Sequence, residues 1–267
     1  MEPRYVQRAF LWVKELLLTL IKFWIKNPQE TPAILGFVFE KAIASPRFFV
    51  KNVLTEKYSL GIKNSLKQTS QLYDKIGKNF NPTDKNSYKL LEKTLTSKSQ
   101  LLYFLVRKIK PDKILETGVA AGESTAYILQ ALKDNKKGKL YSIDLPFQWY
   151  IYGNHKLHLD GLPAGKMPGY LVPEGLKKNW TLILGDTYEK LPLLLEDLKQ
   201  IDIFLHDSEH SDKAMMFEYT QAWPHIKKNG YLFSDDISFT KAFDKFTKTK
   251  KISGTVFKDL GIAKKIE

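Results

Sequence analysis

A chain of 267 residues is long enough to bury a full core, and its natural division is one domain of roughly 200 residues with an appended segment. It contains no cysteine, which excludes a disulfide frame and any thiolate metal site and fits a reducing compartment. A net charge of +13 ordinarily points to nucleic acid or an anionic membrane surface, but residues 111–239 carry 18 acidic against 14 basic side chains, so the basic excess lies wholly in the flanks.

At the N-terminus no signal-peptide order of charged region, short apolar core and small-residue cleavage site is found, so the chain reads as cytoplasmic. Residues 9–26, "AFLWVKELLLTLIKFWIK", predict an amphipathic helix. Arg8, Glu15, Thr19, Lys22 and Lys26 form its polar stripe, and Asn27-Pro28 ends it. Lys14, Glu15 and Lys22 interrupt it too often for a membrane span. A second apolar segment, 32–54, predicts another helix broken near Ser45-Pro46. Two uses of residues 1–54 are open. Trp12, Trp24, Phe10 and Phe23 beside Lys and Arg suit a membrane interface, giving a peripherally attached protein. The commoner use of such a face is packing on the core or on a second subunit, which makes the chain a homo-oligomer.

Residues 61–95 are polar and Lys-rich and read as a linker with short helical pieces, so 1–95 is taken as a helical extension and 96–267 as the main domain. A helix at 96–109 leads into an alternating pattern. Strands are predicted at 113–118, 139–145, 180–186, 201–207 and 230–236, and helices at 123–133, 187–198 and 212–226. The tail 252–266 reads as a hairpin around Asp259-Leu260-Gly261. The fold class is therefore α/β, a doubly wound, mostly parallel seven-stranded sheet with a C-terminal antiparallel hairpin and an N-terminal helical extension. Such sheets bind ligands at the carboxyl ends of their strands. The long insert 146–179, rich in aromatics, Gly and Pro, is placed at that edge as a lid or substrate wall.

"ILETGVAAGEST" (114–125) turns from strand into helix through Glu116, Gly118 and Gly122. It fails the dinucleotide fingerprint, because Ala120 stands where a second glycine is needed and Glu123 and Ser124 follow Gly122. Glu116 would repel a pyrophosphate but can hold a cationic group such as an amine. Asp144 ends the second strand, where an acid accepts hydrogen bonds from ribose hydroxyls, and Asp186 ends the third, in place to line an adenine pocket. Each acid alone reads as an ordinary strand-end or cap residue. Jointly, beside a G-x-x-x-G turn, they make a case that none makes singly.

The series "LETGVAAGEST", "YSIDLP" and "LILGDT" resembles the class I S-adenosylmethionine-dependent methyltransferases over roughly 96–266. The resemblance implies a Rossmann-like domain in which Glu116, Gly118, Gly122 and Ser124 cradle the methionine part of the cofactor, Asp144 the ribose and Asp186 the adenine.

"FLHDSEHS" (204–211) closes the fourth strand with His206, Asp207, Glu209 and His210, and Asp235-Asp236 close the fifth. Adjacent parallel strands lie about 4.8 Å apart, so these carboxylates can converge. They repel unless a cation sits among them, and hard oxygen ligands favour Mg²⁺ or a similar divalent ion. His210, three residues past Asp207, is the candidate general base. The pattern "HDSEH…SDD" resembles the metal-dependent macrolide-sugar O-methyltransferases, which implies metal roles for Asp207, Asp235 and Asp236, a catalytic part for Asp207 and His210, and an acceptor that is a sugar or polyol hydroxyl on a small molecule or glycan, free or lipid-linked. His206 reads as a strand-end residue, Glu209 as a solvated acid, His225 as a helix-end residue, and His155 and His158 as insert residues without an assigned role. Two other functions stand beside this one: a membrane-surface or nucleic-acid binding protein on the same fold, and an RNA methyltransferase. The RNA reading is the weaker, because the basic segments lack an aromatic stacking platform and acids directed at a metal suit a hydroxyl better than a base nitrogen. Nucleic acid is not the expected partner.

Overall fold

The computed structural model describes residues 55–145, 150–152, 156–158 and 166–267. The helices expected at 9–26 and 32–54, and the membrane or subunit contact assigned to 1–54, lie outside the described residues. In chain order the first elements are α1 (Thr55–Ile76), α2 (Lys85–Glu92), α3 (Lys98–Ile109), β1 (Lys113–Thr117), α4 (Glu123–Asn135) and β2 (Lys139–Asp144). A small hairpin of β3 (Tyr150–Tyr152) and β4 (Lys156–His158) follows, then β5 (Trp180–Leu184), α5 (Thr187–Leu198), β6 (Ile201–His206) and α6 (Asp212–His225). The chain closes with β7 (Ile226–Ser234), α7 (Ala242–Thr249), β8 (Gly254–Phe257) and β9 (Leu260–Lys264).

Seven strands form one sheet in the order β5-β2-β1-β6-β7-β9-β8. The first five are mutually parallel, and β9 runs antiparallel to both β7 and β8. The expected doubly wound sheet with its terminal hairpin is therefore present. The hairpin turn is Lys258-Asp259, one residue earlier than expected, and both residues have positive φ (53° and 99°), as a two-residue turn matching strand twist requires. From β1 the chain winds outward through β2 to β5 and returns to lay β6 on the other side of β1. In sheets of this kind that reversal, outside the carboxyl ends of β1 and β6, is where ligands bind.

Side chains alternate along each strand and so divide the core in two. Ile114, Leu140, Ile203 and Phe233 pack with Leu101, Leu105, Ile128 and Leu132 of α3 and α4. Leu115, Ile143, Phe204 and Leu232 pack on the opposite face with Leu191, Met215, Tyr219 and Phe246 of α5, α6 and α7. Where the composition of 61–95 predicts a linker, the chain forms the 22-residue α1. Its Ile62, Leu66, Thr69 and Tyr73 are buried at helical spacing, and Ser65 Oγ lies 2.6 Å from the Tyr127 hydroxyl of α4. The polar residues that suggested a linker form its outer face. α7 also lacked a clear sequence signal, yet Ala242, Phe243, Phe246 and Thr247 bury one stripe of it. Among the described residues no helix is long and apolar enough to cross a membrane.

Candidate active site

Strand register builds two polar ledges directly beneath the crevice. On the α4 side Glu116 is paired in register with Ser142. Glu116 is fully buried; its Oε2 accepts hydrogen bonds from Thr125 (2.9 Å) and Ser142 (2.7 Å), and its Oε1 from Ser124 (3.3 Å). Burial pushes this carboxyl up to about 7 against the pull of those hydroxyls. Glu116 and Ser124, both assigned to the cofactor loop, are thus engaged with each other, and the carboxyl ties β1 to β2 and to the first turn of α4.

On the α6 side Thr117, His206 and Ser234 stand side by side on neighbouring strands. Glu218 of α6 reaches down to them with no solvent exposure. It accepts from Thr117 (2.5 Å) and Ser208 (2.6 Å) and lies 2.6 Å from Nδ1 of the equally buried His206. Burial alone would raise the Glu218 carboxyl, but the His206 imidazole and the hydroxyls of Ser208 and Thr117 hold it below its usual range. One carboxylate therefore fixes the ends of β1 and β6 and the loop beyond β6. Sequence reasoning missed Glu218 and left His206 as a plain strand-end residue. The available signal was an acid on the apolar stripe Met215, Glu218, Tyr219, Ala222.

Above the ledges the loops begin. Gly118 has φ +81°, and a Cβ there would overlap the Asp207 carbonyl oxygen, so only glycine lets the turn after β1 pass beneath the turn after β6. Gly122, at φ +93°, is the N-cap of α4, and a Cβ there would lie 2.7 Å from Gly169 Cα. The C-terminal part of the insert returns over this loop: Gly169 N–H donates to Ala120 O (2.8 Å) and Leu171 N–H to Ala121 O (3.0 Å). Residues 169–171 accordingly lie against the glycine loop. Asp144 Oδ2 accepts the N–H groups of Val119 (2.9 Å) and Ala120 (2.8 Å), and its Oδ1 that of Leu145 (2.7 Å), so it latches the same loop. Asp186 is the N-cap of α5, accepting from Tyr188 N–H at 2.8 Å. Of the insert histidines, His155 lies outside the described residues and His158 is in β4.

The acids at the ends of β6 and β7 do come together. Asp207 N–H donates to Thr117 O and Asp235 N–H to His206 O, each at 2.8 Å, so both residues continue the parallel ladder by one step. Burial pushes the Asp207 carboxyl well above the usual carboxylate range, and the charges of Asp235, Glu116 and Asp236 push the same way. Asp235 is raised by burial against the pull of Lys98. His210 Nε2 lies 3.9 Å from Asp207 Oδ1, and the His210 ring is 5.4 Å from His206 and 5.5 Å from Phe239. A residue that the sequence did not single out completes the group. Lys98 Nζ pairs with Asp235 Oδ1 at 2.5 Å and Asp236 Oδ1 at 2.7 Å. Lys98 thus brings a positive charge to Asp235 and Asp236. Among the described residues no group of three or more His, Asp or Glu side chains is placed to hold a metal ion.

Residues 115–237, from β1 to just beyond β7, match the family model described as a methyltransferase domain. No curated protein matches the chain. Among solved structures, the O-methyltransferase NovP superposes on this chain with a TM-score of 0.51 at 14% identity, over 63% of this chain and 79% of NovP. The O-methyltransferase from Bacillus cereus, in complex with SAH, gives 0.48 at 13% identity, over 76% and 91% of the two chains. The Podospora anserina methyltransferase PaMTH1, bound to SAH, gives 0.47 at 14% identity, over 75% and 96%. At these identities the likeness concerns the fold alone, which for NovP is that of the seven-stranded sheet described above.

Proposed function

We propose that the domain is an S-adenosylmethionine-dependent O-methyltransferase acting on a hydroxyl of a sugar or other polyol, carried on a small molecule or glycan, free or lipid-linked. The observation that carries this reading is the contact of Gly118 with Asp207. It sets the loop that would receive a methyl donor directly against the loop that bears the acid cluster and His210. The donor would lie along 116–122, with Glu116 and Ser124 shaping the turn they tie, Gly118 and Gly122 admitting the ligand to the backbone, and Asp144 and Asp186 beside the ribose and adenine.

In the transfer the acceptor oxygen attacks the methyl carbon in line, the carbon–sulfur bond breaks, and the sulfonium becomes a neutral thioether. The hydroxyl proton passes to a ring nitrogen of His210, and the resulting imidazolium is stabilised by Asp207, 3.9 Å away. Asp207, Asp235 and Asp236 would hold a magnesium ion, which supplies Lewis-acid polarisation of an oxygen when bound. The buried Glu218 fixes the loop so that Asp207 and His210 keep their places. The support for oxygen over a base nitrogen as acceptor is this pairing of hard acids with a histidine.

Isothermal titration calorimetry with S-adenosylmethionine and S-adenosylhomocysteine tests the reading. Saturable one-to-one binding in the micromolar to millimolar range of enzyme ligands is expected, and Gly118→Val should abolish it. Heat-silent titrations of the folded wild-type protein with both compounds would end the proposal.

A further inference from the structure

A cavity of about 330 Å³ lies between α1, α4 and the short helical turn Glu174–Asn179 that leads into β5. Its floor is apolar, formed by the core residues Leu66 and Leu176. Its rim is cationic: Lys63 and Lys67 stand one helical turn apart on α1, and Lys133 joins them from α4. Like charges at i and i+4 weaken a helix, so helix formation does not explain the first two. Among the described residues none of the three lysines pairs with a carboxylate, and the acids nearest to them in sequence are engaged elsewhere. Asp134 accepts hydrogen bonds from Tyr103 (2.6 Å), Gln130 (2.9 Å) and Ser70 (3.2 Å) and pairs with Arg107 at 3.5 Å. Glu174 pairs with Lys177 of its own turn at 2.8 Å. Three positive charges thus share one hollow without a carboxylate among the described residues to balance them.

We propose that this cavity binds the phosphate group of a phosphate monoester, at a site separate from the candidate active site and independent of the reaction proposed for it. Near pH 7 such a group carries roughly two negative charges and three acceptor oxygens. It therefore suits several ammonium point charges better than a singly charged carboxylate does. The lysines supply the charge, the amides of Gln71 and Gln130 direct hydrogen bonds, and Leu66 and Leu176 offer a surface to the carbon skeleton of the ester. The wall at Gly175 is open, since a Cβ there meets no atom within 4 Å. Gln130 is seven residues beyond Glu123, about 10 Å along α4, so a ligand in the cavity leaves the glycine loop unfilled. A soluble phosphorylated metabolite and a lipid with a phosphate monoester headgroup present the same group and differ only in what it is attached to.

Calorimetry on the full chain at constant ionic strength, with glycerol 3-phosphate as the probe, tests the proposal. Saturable one-to-one binding is expected. Lys63→Gln/Lys67→Gln and Lys133→Gln, checked for folding by circular dichroism, should each weaken it about tenfold or more. Gly175→Trp, which places a ring in the hollow from a position with room for it, should do the same. Lys241→Gln/Lys248→Gln removes as much charge from the exposed surface at α7 and should leave binding unchanged. Absence of saturable binding in the wild type overturns the site. An equal loss in the α7 variant also overturns it, by reducing the effect to net charge. Dihexanoylphosphatidic acid, titrated as a monomer, separates the two sources of the phosphate. Affinity about tenfold above that of glycerol 3-phosphate supports a lipid headgroup, and equal affinity supports a soluble ester. In either case the binding must be lost in Gly175→Trp, and binding that survives there contradicts the proposal.

Discussion

Glu116 is a carboxyl that the fold keeps wholly out of water, with three hydroxyls around it. Its folded value of about 7 stands above the ordinary 4.5. The protonated form therefore contributes stability that is complete below about pH 4.5 and is lost as pH rises towards 7. Glu116→Gln removes this titration. Denaturant unfolding across pH 4–8 should show the stability of wild type relative to the variant falling by on the order of 3 kcal/mol over that window. A constant difference would show that Glu116 ionises freely where it is. The strand-end acids Asp207, Asp235 and Asp236 were legible in the sequence, because the apolar run of a buried parallel strand stops abruptly and the polar residues of the next loop stand out against it. Lys98 and Glu218 were not. Each is a charge on an otherwise apolar helical stripe, a pattern that reads as a break in the stripe until the partner from a distant strand is known.

The parallel strands and the helices between them could be read from sequence because each carries its own signal: a short apolar run, then a period of 3.6. Helix α5, expected and found at 187–198, shows this best. α1 shows the converse. Its buried residues are diluted among many Lys, Gln, Ser and Asn side chains, so the composition of the segment outweighs its periodicity. The structure makes α1 part of the core layer with α3 and α4. Leu66, 3% exposed, is the test of that layer. Leu66→Ala should lower unfolding stability by about 2–5 kcal/mol, as for a packed core leucine. A change under about 0.5 kcal/mol, the range of an exposed position, would return the segment to a linker.

At the scale of the molecule, function arises where the strand order reverses. β1 and β6 are neighbours in the sheet, yet the whole excursion through β2 and β5 separates them along the chain. That reversal brings the glycine turn and the acid–histidine turn against each other, with the acid pair of β7 one strand further on. The acidic excess of residues 111–239 includes these strand-end acids, whereas the basic excess lies in the flanks. A crystal structure of the full chain with S-adenosylhomocysteine tests the central claim most directly. The ligand should lie along 116–122 with its ribose by Asp144 and its sulfur turned towards Asp207 and His210, leaving room there for an acceptor oxygen about 3 Å from a transferred methyl. A ligand seated elsewhere, or with its sulfur turned away from the ends of β6 and β7, would contradict the account.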